Sequence, residues 1–320
     1  MTTTMFRTHL PALLLAIIVG FILVLPAIAA KIRYGIDFSS PLNIRIQDEF
    51  FYFARIRDVI DGYPTIGNAY LWEHKAKPPS PVFLGEWLVA QPIKWFGGEV
   101  VAWGVLYDFI LPALISLITY VGLFAATKLR WLSLLGTIFL LLSFSPSDFT
   151  RVVSPQFNFL FWLSLFLLSY LLTREIQDSR RRWLLVLAAA LNFGALFYIY
   201  TYYWTFYLVF FAIFALMAVL RGEHAAAINS GAIVAGGSLI AIPYFFIMLR
   251  ALRLPEYAET LRRIGMIETH FPSGIAIVIP ALALLIAYAV FRRLGWISWD
   301  REALFLASGV LAAAMVANQH

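Results

Sequence analysis

No cysteine occurs anywhere in the 320 residues, so neither a disulfide nor a thiolate metal site is available to this chain. Charge is almost as scarce: 13% of residues are Asp, Glu, Lys or Arg, where a soluble domain carries about a quarter. With 62% of residues hydrophobic, such a chain cannot solvate its own surface, and lipid must be its solvent. No Gly-x-x-x-x-Gly-Lys run is present, which removes the common phosphate-binding loop. Carboxylates are the rarer charge, 18 against 24 Lys and Arg, for a formal net charge of +6. The basic residues are scattered between apolar runs and form no face or stripe. That pattern belongs to a membrane protein and not to a nucleic-acid partner.

What the chain does have is long apolar runs. The first, 9–30, is about the 20 residues needed to cross a bilayer. Its end, Leu25-Pro26-Ala27-Ile28-Ala29-Ala30, resembles a signal-peptidase site, but the run exceeds the usual apolar core of about 7–15 residues. It is therefore expected to stay as a signal anchor. Further spans are expected at about 100–127, 131–145, 157–173, 183–200, 203–220, 226–249, 273–291 and 303–317. The block 183–220 is too long for one crossing and is divided at Thr201-Tyr202-Tyr203-Trp204, since tyrosine and tryptophan favour the headgroup level. The expectation is an all-α polytopic membrane protein of about nine transmembrane helices, 1–320 forming a single membrane domain. The thin last run and the abrupt Asn318-Gln319-His320 end carry the further expectation that the chain continues beyond His320.

Short-loop Lys and Arg set the orientation. With the N-terminus cytoplasmic, inner loops hold Lys128 and Arg130, then Arg174 with Arg180–Arg182, then Arg221, then Arg292, Arg293 and Arg301. The loop at 250–272 departs from this rule with Arg250, Arg253, Arg262 and Arg263. Those cations either have a task or simply pair with Glu256, Glu259 and Glu268 across helix turns. The large polar insert 31–99 then lies outside.

That insert contains the stretch around which the chain is organised. Residues 47–62, QDEFFYFARIRDVIDG, place Asp48 and Glu49 at the start of a short amphipathic helix that Gly62-Tyr63-Pro64 must end. Acids are favoured at a helix N-terminus for electrostatic reasons alone, so the pair has a structural reading beside any chemical one. Arg55 and Arg57 are expected to snorkel or to pair with Asp58 and Asp61. A second amphipathic piece, 82–96, mixes Trp87, Trp95 and Phe96 with Glu86 and Lys94, which suits a helix lying in the interface.

A multi-span chain whose first outer loop opens with Asp-Glu and an aromatic helix resembles the GT-C class of glycosyltransferases. The stretch Trp72-Glu73-His74-Lys75-Ala76-Lys77-Pro78-Pro79 is similar to the His-x-Lys-Pro-Pro element of protein O-mannosyltransferase-like and aminoarabinose transferase-like enzymes, departing from them at Ser80. Ser145–Arg151 stands where some members carry another acid in the second outer loop. The resemblance implies transfer of a sugar, with inversion, from a polyprenyl-phosphate donor to a glycan, lipid or protein acceptor at the outer face of the cell (inner) membrane. It makes Asp48 the general base and Glu49 an orienting acid. Lys75, Lys77, His74, Asp148, Arg151, Arg262 and Arg263 are then the residues that meet substrate. Some members use a divalent cation, for which Asp48 and Asp148 offer hard oxygen ligands.

Each of these residues also has a plainer reading. Asp148 and Arg151 can pair with each other, Lys75 and Lys77 can be headgroup contacts, and His74 can be an ordinary loop histidine. Asp108 falls within a span, where ionisable groups face the protein interior. The aromatic series from Tyr198 to Tyr207 is most simply an interfacial belt. The competing functions are a transporter or lipid flippase, expected to carry broken spans, and a non-catalytic envelope-assembly subunit.

Overall fold

The structure, a computed structural model, describes residues 3–44, 47–63, 82–143, 153–174, 176–253, scattered positions between 279 and 294, and 300–316. Among these residues the chain is all helix, with no strand. The helices are α1 (Thr3–Tyr34), α2 (Gln47–Ile60), α3 (Leu84–Phe96), α4 (Val100–Thr127), α5 (Arg130–Ser143) and α6 (Val153–Leu171). They continue as α7 (Ser179–Phe197), α8 (Thr201–Leu220), α9 (His224–Ile240), α10 (Ile242–Ala251) and α11 (Arg301–Val316). By length and composition, α1 over His9–Tyr34, α4 and α8 can each cross a membrane, and α9 with α10 can make a fourth crossing. Helix is the expected answer for an apolar chain in lipid, because it satisfies every backbone group within one segment. The run at 273–291 falls largely outside the described residues.

Contacts fall into two compact units, Met1–Leu167 and Leu168–His320. In the first, α1 and α4 lie antiparallel. A Cβ on Gly20 would stand 2.6 Å from the Phe109 carbonyl oxygen, so the backbones approach closely only because that position is glycine. Further along the same contact, His9 Nδ1 lies 2.8 Å from the Tyr120 hydroxyl. α2 and α3 pack on the opposite end of α4. Ile56 and Val59 of α2, Val89 and Ile93 of α3, and Leu111 of α4 share one apolar cluster, which also takes in Phe157 and Leu160 of α6.

In the second unit, α7 and α9 meet at glycines, with a Cβ on Gly237 falling 3.1 Å from the Gly194 nitrogen. α8 holds α11 through Phe210 and Phe214, whose rings lie 4.9 Å and 5.7 Å from that of Phe305. Arg174 lies 3.5 Å from Glu302, Tyr170 donates to the same carboxylate, and Arg301 pairs with Glu223. The α6 C-terminus, the α8–α9 turn and the α11 N-terminus therefore meet at one end. These are loops that the Lys and Arg pattern groups on one side.

Two breaks differ from the sequence expectation. The α7–α8 break falls at 198–200, earlier than Thr201–Trp204, and the run 226–249 is two helices bent by 49°. Pro243 has no N–H and its ring crowds the preceding turn, which accounts for the bend. The Tyr198 hydroxyl enters the gap, donating to the Ile240 carbonyl at 2.8 Å and accepting from the Tyr244 N–H at 3.2 Å. Those two backbone groups would bond each other in an unbroken helix. Tyr198→Phe removes the bridge and leaves both groups unsatisfied, so it should cost about 1–3 kcal/mol. Thermal unfolding of the purified protein in detergent checks this, with exposed Tyr34→Phe expected to change little. Equal melting of the two variants would show that the bridge contributes nothing.

Candidate functional site

The candidate site is built on α2. Its core-facing residues, Glu49, Ile56 and Val59 with half-buried Phe53, recur at helical spacing and turn one face inward. The helix ends as Gly62 requires. At φ +101° this residue takes a conformation other side chains resist, Gly62 N–H donates to Val59 O, and Tyr63 N–H reaches back to Asp58 O. That pairing closes the helix and caps its last carbonyls. On the packed face, the Phe53 ring fills the space beside Gly104 of α4, where a Cβ would lie 2.6 Å from it.

α3 completes the support. Glu86, Val89, Ala90 and Ile93 form its buried face, while Trp95 and Phe96 stay strongly exposed. The Tyr107 hydroxyl of α4 donates to the Val89 carbonyl at 3.0 Å, and Trp103 Nε1 donates to Gly97 O at 2.8 Å across the α3–α4 turn.

One ion pair joins α2 to α3, and it corrects the expected pairing. Arg57 does pair with Asp61, at 3.0 Å on the surface. Arg55 neither snorkels nor pairs along its own helix. Its Nε lies 3.1 Å from Glu86 Oε1, with side-chain exposures of 12% and 4%. The Nε–H is not aligned for a hydrogen bond, so this contact acts through charge. The guanidinium also donates to the Val82 carbonyl and stands over the Phe51 ring, 5.2 Å from its centroid. A buried cation of this kind needs such partners, since desolvating it alone costs several kcal/mol.

Of the residues singled out by sequence, Asp48 lies in the first turn of α2, with its side chain outside the described residues. Glu49 follows it and is buried, 4% exposed, whereas neighbouring Phe50 is 55% exposed. The helix-terminus reading of the pair needs no burial, and a buried carboxylate must be bonded or paired. His74, Lys75, Lys77, Asp148, Arg151, Arg262 and Arg263 all lie outside the described residues. Asp108 is half-buried on α4, as expected for an acid in a span. Among the described residues no group of three His, Asp or Glu side chains can hold a metal ion.

Two residues were not singled out by the sequence reading. Gln156 and Asn158, in the first turns of α6, are 3% and 9% exposed, flanking Phe157 of the cluster beneath α2. Asn158 Oδ1 accepts no hydrogen bond among the described residues. Polar amides at the start of an apolar run were the available signal.

Removing one partner of the Arg55–Glu86 pair should cost more than removing both. Glu86→Gln leaves a buried guanidinium without its counter-charge, at about 3 kcal/mol. Arg55→Met with Glu86→Leu should recover most of that stability. Unfolding of the two purified variants, compared with the parent, measures the difference. A Glu86→Gln protein as stable as the parent would reduce the pair to a surface-like contact.

Comparison of the chain with family models, with curated proteins and with solved structures finds no match.

Proposed function

We propose that this chain is a membrane-embedded glycosyltransferase of the GT-C type, with about nine transmembrane helices in the cell (inner) membrane and the 31–99 segment outside. On this reading the N-terminus is cytoplasmic, which the short-loop Lys and Arg favour everywhere except at 250–272. The observation that carries the reading is the mounting of α2. The helix that bears Asp48 and Glu49 is fixed on α3 and α4 by a buried ion pair and an apolar cluster, with Glu49 turned inward. A helix held this firmly suits a carboxylate that must be placed within hydrogen-bond reach of a substrate proton.

The chemistry is a single displacement. An acceptor hydroxyl oxygen attacks the anomeric carbon of a polyprenyl-phosphate sugar from the face opposite the phosphate. Asp48 takes the hydroxyl proton as the new C–O bond forms. The bond from the anomeric carbon to the phosphate oxygen breaks, and the lipid phosphate leaves with its electron pair. Glu49 orients the acceptor. Negative charge grows on the leaving phosphate, and Lys75, Lys77, Arg262 or Arg263 stabilise it. His74, Asp148 and Arg151 line the substrate, and Asp48 with Asp148 would supply the oxygen ligands if a divalent cation is used. Buried Asn158 offers an amide to a sugar hydroxyl.

A transporter or lipid flippase is the second reading, favoured by the 49° bend between α9 and α10. Broken spans that serve transport leave backbone groups free for the cargo. Here Tyr198 occupies both groups at the bend.

Asp48→Asn keeps the size of the side chain but cannot take a proton, and should lower transfer by about 100- to 10,000-fold at unchanged stability. Glu49→Gln should be milder in rate and cost more stability, because Glu49 is buried. Turnover of polyprenyl-phosphate sugar by protein in liposomes reads the first effect, and thermal unfolding the second. Asp48→Asn activity within a few-fold of the parent would remove the catalytic assignment.

A further inference from the structure

The end of the first unit opposite α2 carries positive charge that no carboxylate meets among the described residues. α1 and α4 run antiparallel, so His9 of α1 meets Tyr120 and Phe124 near the C-terminus of α4, and α5 starts just beyond. Lys128 closes α4 in a left-handed conformation, φ 58°, with its N–H on the Phe124 carbonyl. The link to α5 is tightened by Thr127, whose hydroxyl lies 2.9 Å from that of Ser133 and accepts from the Leu129 N–H at 3.2 Å. Lys128 and Arg130 are thereby held at one place on the surface.

Neither cation has an acidic partner among the described residues. The Lys128 ammonium stands 6.0 Å from the Phe124 ring centroid, and the Arg130 guanidinium 5.0 Å from that of Trp131. The sequence has no Asp or Glu in 1–36 or in 109–147, the stretches that hold α1 and the C-terminal part of α4 with all of α5. Arg130 and Trp131 open onto a shallow cleft that Pro11, Ala12, Tyr120 and Leu134 also line. Beside it α5 exposes Leu132, Leu135, Phe139 and Leu142 along its length, Leu142 at 80%. An exposed apolar strip ending at two exposed cations and a tryptophan is complementary to an amphiphile with a phosphate at one end.

We infer that this cleft binds the headgroup of an anionic phospholipid, with the phosphate against Lys128 and Arg130 and an acyl chain along α5. The inference stands apart from the glycosyltransferase reading, since it uses no residue of the α2 site. With the topology proposed above, the lipid belongs to the cytoplasmic leaflet.

The test uses full-length protein, delipidated in detergent and titrated with phosphatidylglycerol or phosphatidylcholine while bound lipid is counted by native mass spectrometry. The parent should bind phosphatidylglycerol in preference. Lys128→Gln with Arg130→Gln should weaken that binding by on the order of 30-fold, taking about 1 kcal/mol for each cation near the surface. Lys128→Arg with Arg130→Lys keeps both charges and should keep the binding, which separates loss of charge from loss of fold. Equal binding of the two lipids by the parent, or an unchanged preference in the glutamine variant, would overturn the inference. Displacement of phosphatidylglycerol by equimolar glycerol 3-phosphate would also overturn it, by assigning the cleft to a soluble anion.

Discussion

In lipid no water is available to a backbone N–H or carbonyl, so each must be satisfied by the chain itself. That constraint accounts for the absence of strands among the described residues, and for the way helices meet. Where helices come close, glycine makes room: Gly20 of α1 against Phe109 of α4, Gly104 under the Phe53 ring, and Gly237 beside Gly194. Where a helix breaks, a side chain fills in. The Tyr198 hydroxyl bridges Ile240 and Tyr244, so the α9–α10 bend exposes neither group.

The segment outside the first span is governed by a different balance. α2 and α3 are short and carry charge, and their shared apolar cluster is joined by an ion pair whose two side chains are almost fully covered. Buried pairs of this kind contribute little to net stability over an apolar replacement, and breaking one is costly. The physical consequence is a helix pair held at both an apolar and a charged contact. Such rigidity suits a reaction that asks a carboxylate to meet one proton, and it links the Arg55–Glu86 contact to the role proposed for Asp48.

Much of the helical pattern was legible in the sequence. The limits of α4 agree with the apolar run, and α2 ends at Gly62 because a positive φ there is read directly from glycine. The α9–α10 bend was hidden because hydropathy is continuous across Pro243, and the α7–α8 break was displaced because Tyr198 serves that distant bend. Arg55 was misplaced for a similar reason. Its nearest acid in sequence, Asp58 three residues on, satisfies the helical spacing rule, whereas its partner Glu86 sits on another helix. The inward turn of Glu49 was equally invisible, since acids in a first helical turn look the same whether covered or exposed. The loop residues expected to meet substrate, from His74 to Arg263, lie outside the described residues.

The most direct test of the central claim is a structure of the full-length protein with a non-hydrolysable polyprenyl-phosphate sugar analogue in a lipid nanodisc. The account predicts the sugar at the N-terminus of α2, its anomeric carbon within reach of an acceptor hydroxyl held by Asp48. The sugar of the analogue bound at the α9–α10 bend, or anywhere away from the N-terminus of α2, would contradict it.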